Sequence, residues 1–569
     1  MSHLSPPRLL KLGSTLFPAL LALMGLLLVA RWVRSGPSVT IAARVPGLDE
    51  VPADTPAGVS RPIAGRRKPG EPIPGPGRPS AITAVWPWFR GPDNDAISKE
   101  TVHLARTWPA TGPKRLWTVL LGDGYAAAAV RDGRVYVLDH VHDASGDLLR
   151  RLPTADCKAL AQALAAVPPG DPAKLDAALA PLFPVEGQRG KSSQPTVSQA
   201  EYDALKQNLA DDLVHRRDLL LQSLQDGAID DIDRSADTLR CLSLDDGREI
   251  WRNGYRVVIA QSHGMSRTIP AVIGDCVITL GPKCQLACWD TATGKSRWLI
   301  DLVLEHGATV PEWYAGQCPF IDTKTNRLIV APGGKTLVMA VDYHTGKIVW
   351  QSANPRHWAM THVSIVPMEF AGRRMYVYCG KGGVAGVAAD TGELLWNSTE
   401  WQIAMATCPS PVVVGEGRIF FCGGYNAGAL MLQLKQEQGR IVPRVAFRLA
   451  ARQFSSEQQT PVLWRQHLYG VRQKDQQLVC LDLDGKERWN SGREKFGSGP
   501  YMVADGLMYV LDNDGVLSIV EAAPTAYHRT ARAQVIEEAS SSWGPMALVA
   551  GRLIVRDSTR MVCLDVAEH

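Results

Sequence analysis

Residues 290–298 read DTATGKSRW and residues 342–350 read DYHTGKIVW. Each turns from an Asp through Thr-Gly and ends on a Trp four residues after the Gly. The ending recurs in DDGREIW, ADTGELLW and DLDGKERW, so that Trp251, Trp298, Trp350, Trp396 and Trp489 form one series. Successive members lie roughly 45–50 residues apart, and the doubled interval before Trp489 holds one further unit, GRIVPRVAFRL, without the Trp. Upstream of each Gly is a short strand pattern (LRCLSL, LACWD, VMAVD, VAGVA, LVCLD), and upstream again a β-branched or aromatic run such as CVITL, RLIVA or RIFFC. A Pro opens most units, at Pro270, Pro319, Pro367, Pro411, Pro461, Pro500 and Pro545. Four short strands per repeat with turn residues between them predict one blade of a β-propeller.

Counting openings from Ala126 gives eight blades. The last unit, ending VCLDVAEH, stops at its third strand, and GPKRLW at the other end of the body offers the missing one, with Trp117 in the blade-end position. A propeller that does not close exposes two strand edges, so this exchange is expected on physical grounds. The fold expected is therefore all-β: an eight-bladed propeller of four-stranded antiparallel blades. Trp117, Trp251, Trp298, Trp350, Trp396 and Trp489 are expected to be structural, each docking its blade on the next.

The Gly-turn-Trp blade ends, with Asp-x-x-Thr-Gly before them at 290–294 and 342–346, resemble the repeats of pyrrolo-quinoline-quinone (PQQ) propellers. That group includes quinoprotein alcohol dehydrogenases and the non-catalytic BamB-type component of outer-membrane barrel assembly. The run WPWFRGP at 86–92 also resembles a lead-in found ahead of bacterial propellers of this type. The resemblance implies an extracytoplasmic, periplasmic location, and PQQ with calcium if the chain is a dehydrogenase. The residues do not supply that machinery. No two of the 11 Cys are adjacent, so the vicinal disulfide of many such dehydrogenases has no counterpart, and their calcium ligands and catalytic Asp find no matching positions.

Residues 12–30 carry no charge and are long enough, at ~1.5 Å per residue, to cross a bilayer; Arg31, Trp32 and Arg34 follow as an interfacial anchor. The expectation is an N-terminal transmembrane helix within 1–34, with a cleaved signal peptide as the rival reading. Both flanks are basic, so charge does not set the orientation. Residues 35–84 hold ten prolines and little periodic apolar pattern, which predicts a spacer before a propeller at 85–569. The chain is expected to be a single-pass protein of the inner (cytoplasmic) membrane with its propeller outside the cytoplasm. Sixty-one basic against 57 acidic side chains leave +4, too balanced for a nucleic-acid binder that works through a basic surface.

Blade one is interrupted at 145–237 by residues of helical pattern. Leu205, Leu209, Leu213, Leu220 and Leu224 recur at helical spacing, and Ser198 with Glu201 suits a capping box. An insertion between the second and third strands stands on the face that also carries the connectors between blades, where it would serve as a lid or docking arm. Those connectors gather His263, Arg267, His306, Trp313, His357, His362, Glu457 and Trp543, the candidate binding face for a protein or small-ligand partner.

Other motifs carry less. Cys241, Cys288, Cys480 and Cys563 occupy equivalent third-strand positions, where Ala340 stands in a sister unit, and read as small core residues. No haem-attachment signature is present, His140 and His142 lack a third ligand fixed by spacing, and Asp512–Gly515 lacks the rest of a calcium loop. No metal, cofactor or catalytic residue is assigned. The expectation is a membrane-tethered envelope propeller acting as a non-catalytic scaffold or binding module, with a divergent PQQ-dependent alcohol or polyol dehydrogenase as the alternative.

Overall fold

Every Gly-Trp ending in the sequence is the last hairpin of a blade in a computed structural model, which describes residues 68–186, 196–259 and 266–569. Eight sheets succeed one another around the channel. Their inner strands are Ala129–Arg131, Ala271–Ile273, Phe320–Asp322, Val366–Phe370, Val412–Gly415, Val462–Trp464, Tyr501–Ala504 and Ala547–Val549. The eighth blade is completed from the N-terminal side: Lys114–Leu120 pairs antiparallel with Arg560–Asp565, and Trp117 stands opposite Cys563.

The repeat chemistry explains the blade ends. Each blade-end Trp faces a small residue on the neighbouring strand: Trp251 opposite Cys241, Trp298 opposite Cys288, Trp350 opposite Ala340, Trp396 opposite Gly386 and Trp489 opposite Cys480. Where the Trp is missing the partner is larger: Phe447 faces Met431, and Ala531 faces Ile519. The large ring thus takes a small partner, as close packing favours. The register slips directly after the residue that faces the blade end, small or large, in each of these blades, so the bulge belongs to the repeat.

The Trp then reaches the next blade. The indole nitrogens of Trp117, Trp251, Trp298 and Trp489 donate to Leu244, Thr291, Tyr343 and Ala523 carbonyls, each in the following blade. The turn glycines Gly247, Gly294, Gly346 and Gly392, at φ between 70° and 77°, lie against the rings of Trp117, Trp251, Trp298 and Trp350. A Cβ there would sit 2.4–3.0 Å from the indole, so these positions exclude a side chain on both conformation and space. Trp396 stays in its own blade, its indole nitrogen donating to Met375 Sδ. Trp350 is only half-buried and stacks on Tyr376 of blade four.

The spacer expected over 35–84 ends earlier than the sequence suggested. Ile73–Pro74 pairs with Arg252 and Trp251 as a fifth, outer strand of blade one. Gly70, Gly75 and Gly77 donate backbone N–H groups to Gly254, Ile250 and Glu249. A Cβ on Gly75 would meet the Glu249 carbonyl oxygen at 2.1 Å, so the Pro-Gly alternation lets an extended chain lie flat on an edge. The expected membrane helix at 12–30 lies outside the described residues; among those described, no helix is long and apolar enough to cross a membrane.

The lead-in at 86–97 threads the channel. Trp86 bridges to Val130 of blade one, Pro87 accepts from Val272 of blade two, and Ile97 pairs in parallel with Val503 of blade seven. Between them the Arg90 guanidinium donates to the Thr460 and Pro461 carbonyls of blade six and back to Asn94 and Asp95. Blade one carries the helical insertion between Arg134–Val141 and Ala236–Ser243. Its helices, from Ala144–Arg150 to Arg217–Asp226, enclose a separate apolar core around Leu160, Leu164, Leu179, Leu205, Leu209 and Leu224. The capping box is formed: Ser198 Oγ accepts from the Glu201 amide and Glu201 Oε2 from the Ser198 amide. Arg256, at the end of the outer strand, donates to the Asp231 and Asp233 carbonyls and ties the insertion to the blade.

Candidate functional site

Five connectors that the sequence singled out converge on one cavity of about 230 Å³ at the channel mouth, lined by Arg267, Trp313, His362, Glu457 and Trp543. Tyr125, Cys408, Tyr425, Gln458 and Gln459 complete most of its wall, and Phe89 of the lead-in closes its floor. Phe89 also borders a second cavity, of about 280 Å³, further along the inner strands.

Of the other candidates, His306 is buried at the end of the short helix Leu302–His306, and His357 is an exposed turn residue at φ 53°. Neither lines the cavity. His263 lies outside the described residues. Among the described residues the insertion contributes none of the lining, and its place between the second and third strands of blade one puts it on the same face.

One side of the cavity is an aromatic stack. The Trp543 ring lies 4.9 Å from Tyr125, and the Arg267 guanidinium lies 5.5 Å from the centre of the same Tyr125 ring. A second layer fixes Trp543: its indole nitrogen donates to Asn513 Oδ1, and Gln459 Nε2 donates to its carbonyl. The Asp512–Gly515 turn thus supports the cavity, while the Asp512 carboxylate accepts the Asp514 and Val516 amides as hairpin chemistry. Glu457 accepts from Gln473 Nε2.

The opposite side carries strain. Trp313 and Tyr314 are consecutive non-glycine residues in the left-handed region, at φ 60° and 70°. This geometry presents Trp313 to the cavity and directs the Tyr314 carbonyl at His362, whose Nε2 donates to it at 2.9 Å. Nδ1 therefore carries the lone pair, and it faces Cys408 Sγ at 3.7 Å. The imidazole also rests over Gly316, where a Cβ would lie 2.6 Å from His362 Cδ2. Burial, then the Arg267 charge, push His362 down to about 4. Burial pushes the Cys408 thiol up to about 12, against the opposing pull of Arg267. At neutral pH the pair is an uncharged thiol beside an uncharged imidazole.

Two features were not legible in the residue pattern. Asp237 is buried where the third strand of blade one begins, accepting from Tyr255 Oη and Ser266 Oγ. Burial raises its carboxyl to about 7. The inner-strand starts are also linked around the channel: Ile269 N donates to Cys318 Sγ, Cys318 N to Ser364 Oγ, Ser364 N to Ser410 Oγ and Ser410 N to Thr460 Oγ1. This girdle couples successive blades at the cavity, where Ile269, Cys318 and Ser364 are part of the wall.

Among the described residues one group of three potential metal ligands occurs, Asp275, Cys276 and His344. Arg297 already serves it, with Nη1 3.3 Å from the Cys276 sulfur and Nη2 2.7 Å from Asp275, so a guanidinium supplies the positive charge. His142 is paired with Asp147, while His140 is buried and pushed down to about 4 by desolvation. All eleven cysteines are free thiols, and ten of them are buried.

No curated protein matches the chain in sequence. Residues 235–491 match the PQQ-type family model described as outer membrane protein assembly factor BamB. BamB from Moraxella catarrhalis shares 17% identity over 52% of this chain and 81% of its own, with a TM-score of 0.38. The quinohemoprotein alcohol dehydrogenase from Comamonas testosteroni shares 12% over 86% of this chain and 82% of its own, with a TM-score of 0.39. A second such dehydrogenase, from Pseudomonas putida HK5, shares 12% over 85% and 80%, with a TM-score of 0.38. Such distant likenesses say nothing of activity. The matched repeats at 235–491 and the Gly-Trp docking that runs through these blades support a PQQ-repeat β-propeller.

Proposed function

We propose that this chain is a non-catalytic binding module of the cell envelope. The apolar run at 12–30 tethers it to the membrane, the propeller lies outside the cytoplasm, and the insertion-bearing face engages a protein or small-ligand partner. The observation that carries this reading is the convergence of Arg267, Trp313, His362, Glu457 and Trp543, from five separate connectors, on one cavity. A rigid second layer through Asn513, Gln459 and Gln473 favours a preformed site.

The dehydrogenase alternative fits the cavity poorly. A calcium ion takes six to eight oxygen ligands. Among the described residues Glu457 is the one carboxylate in the wall; it is bonded to Gln473, and Arg267 adds a positive charge to the same space. The donor set does not suit calcium with its quinone.

The test is capture of envelope proteins on the full chain, comparing wild type with R267A/W313A/H362A and with a deletion of 145–237. The triple variant is expected to lose the specific partners while still melting cooperatively. Undiminished capture would place binding elsewhere. In a parallel arm, saturable PQQ binding with Ca²⁺ and dye-linked turnover of an alcohol would replace this reading with the enzymatic one.

A further inference from the structure

We propose that Cys408 and His362 form a thiol–imidazole pair that adds reversibly to the carbonyl carbon of a small aldehyde held in the connector cavity. The inference rests on the reading of that cavity as a ligand site and names the ligand chemistry. Three observations carry it. Cys408 is the one cysteine of eleven that is not buried, and it lines the cavity. His362 Nδ1 lies 3.7 Å from its sulfur, and the bond from Nε2–H to the Tyr314 carbonyl leaves Nδ1 as the acceptor. A base oriented by a third group beside a nucleophile is the arrangement that activates thiols. The strained Trp313-Tyr314 backbone and the bare Gly316 hold that orientation.

The electrostatics select the reaction. Both partners rest uncharged in a desolvated space, so a reaction that starts and ends neutral is favoured over one that leaves an ion behind. In the addition, the sulfur lone pair forms the C–S bond as the Cys408 S–H proton moves onto His362 Nδ1 in the same step, so that no free thiolate stands in the desolvated space. The carbonyl π pair moves to oxygen, and Nδ1 returns the proton there. The product is a thiohemiacetal: nothing is oxidised or reduced, no group leaves and no co-reactant is needed. Arg267 stands in the same wall to favour the oxygen while it gathers negative charge. Trp313, Trp543 and Tyr125 suit a flat apolar body, and about 230 Å³ lies below the ~300–1,000 Å³ of pockets for drug-sized ligands.

The test uses the full chain in detergent, with benzaldehyde as probe and benzyl alcohol as the ring compound that cannot add. Iodoacetamide labelling is followed peptide by peptide by mass spectrometry, and ring binding by tryptophan fluorescence. Cys408 should label first, and benzaldehyde should slow that labelling reversibly and more than benzyl alcohol does at equal occupancy. H362Q should slow labelling on the order of 10²-fold or more at unchanged melting temperature. G316A, which displaces the imidazole while keeping both reacting side chains, should act in the same direction. Cys408 that resists labelling, a wild-type rate in both variants, or no protection by benzaldehyde would each overturn the proposal. If both ring compounds bind and protect equally, the cavity reading stands and the thiol chemistry falls; if neither binds, both fall.

Discussion

Removing the Trp251 ring should cost about 3–5 kcal/mol, because it is a large side chain only 3% exposed and held between two blades. The cost should come from packing more than from hydrogen bonding. The Thr291 carbonyl that Trp251 Nε1 contacts at 3.1 Å also accepts from Tyr136 Oη at 3.2 Å, so W251A leaves it bonded. W251F, which keeps a ring but loses the donor, should cost nearer 1 kcal/mol plus a smaller packing loss. The sharper test pairs W251A with G294A. In wild type an alanine at 294 adds roughly 1–2 kcal/mol for the left-handed backbone at φ 71°. It adds a further ~1–3 kcal/mol because its Cβ would stand 2.5 Å from Trp251 Cε3. Without the indole only the backbone part remains, so the double variant should be more stable than additivity predicts by about 1–3 kcal/mol. Urea unfolding followed by circular dichroism, with pulse proteolysis as a second probe, measures all four corners of the cycle. A G294A cost that is the same in both backgrounds, or a W251A cost below about 1 kcal/mol, would refute ring-on-glycine docking as what joins the blades.

Further outcomes are expected. Burial raises the folded-state pKa of Asp237 to about 7 from the ordinary 3.8, so its neutral form favours folding. Its contribution is complete below about pH 4 and is lost as pH rises through about 7, on the order of a few kcal/mol. Melting temperatures between pH 4 and 8 should fall less steeply in D237N; an unchanged slope would show that the carboxyl is not buried as described. R90K keeps the charge but not the planar fork that serves four carbonyls, and should destabilise by roughly 1–3 kcal/mol in the same urea assay. Trp350 is half-buried, so W350A should cost less than W251A in that assay.

The blades were legible because their grammar is local: a Gly, a Trp and a small partner each recur at fixed places, and closure by Trp117 follows from counting strands. The connector face was legible for the same reason, since topology alone decides which loops share it. What escaped depends on distant parts meeting. Cys408 and His362 sit in successive connectors, and nothing in either loop announces the other. Arg90 looks like a surface residue of a turn until four carbonyls, two of them from blade six, surround it. His306 and His357 lie on cavity-forming connectors, but a helix end buries one and the other is an exposed residue of a left-handed turn, outside the cavity wall. The third-strand cysteines were readable as small residues, and the Trp opposite each one gives the reason.

The strand that closes the ring has a consequence for biosynthesis. Lys114–Leu120 leaves the ribosome early, but its partner Arg560–Asp565 emerges roughly 450 residues later. At ~5–20 residues per second this leaves an open strand edge for on the order of tens of seconds. Seven blades can stack in order during that time, and the eighth cannot be completed until Arg560–Asp565 has emerged. Two adjacent basic residues, Lys114 and Arg115, and a Pro just before the strand, in GPKRLW, are the kind of edge that resists pairing with a stranger. A nascent chain stalled before residue 560 should therefore be the species that a chaperone recognises and a protease cuts at 109–120.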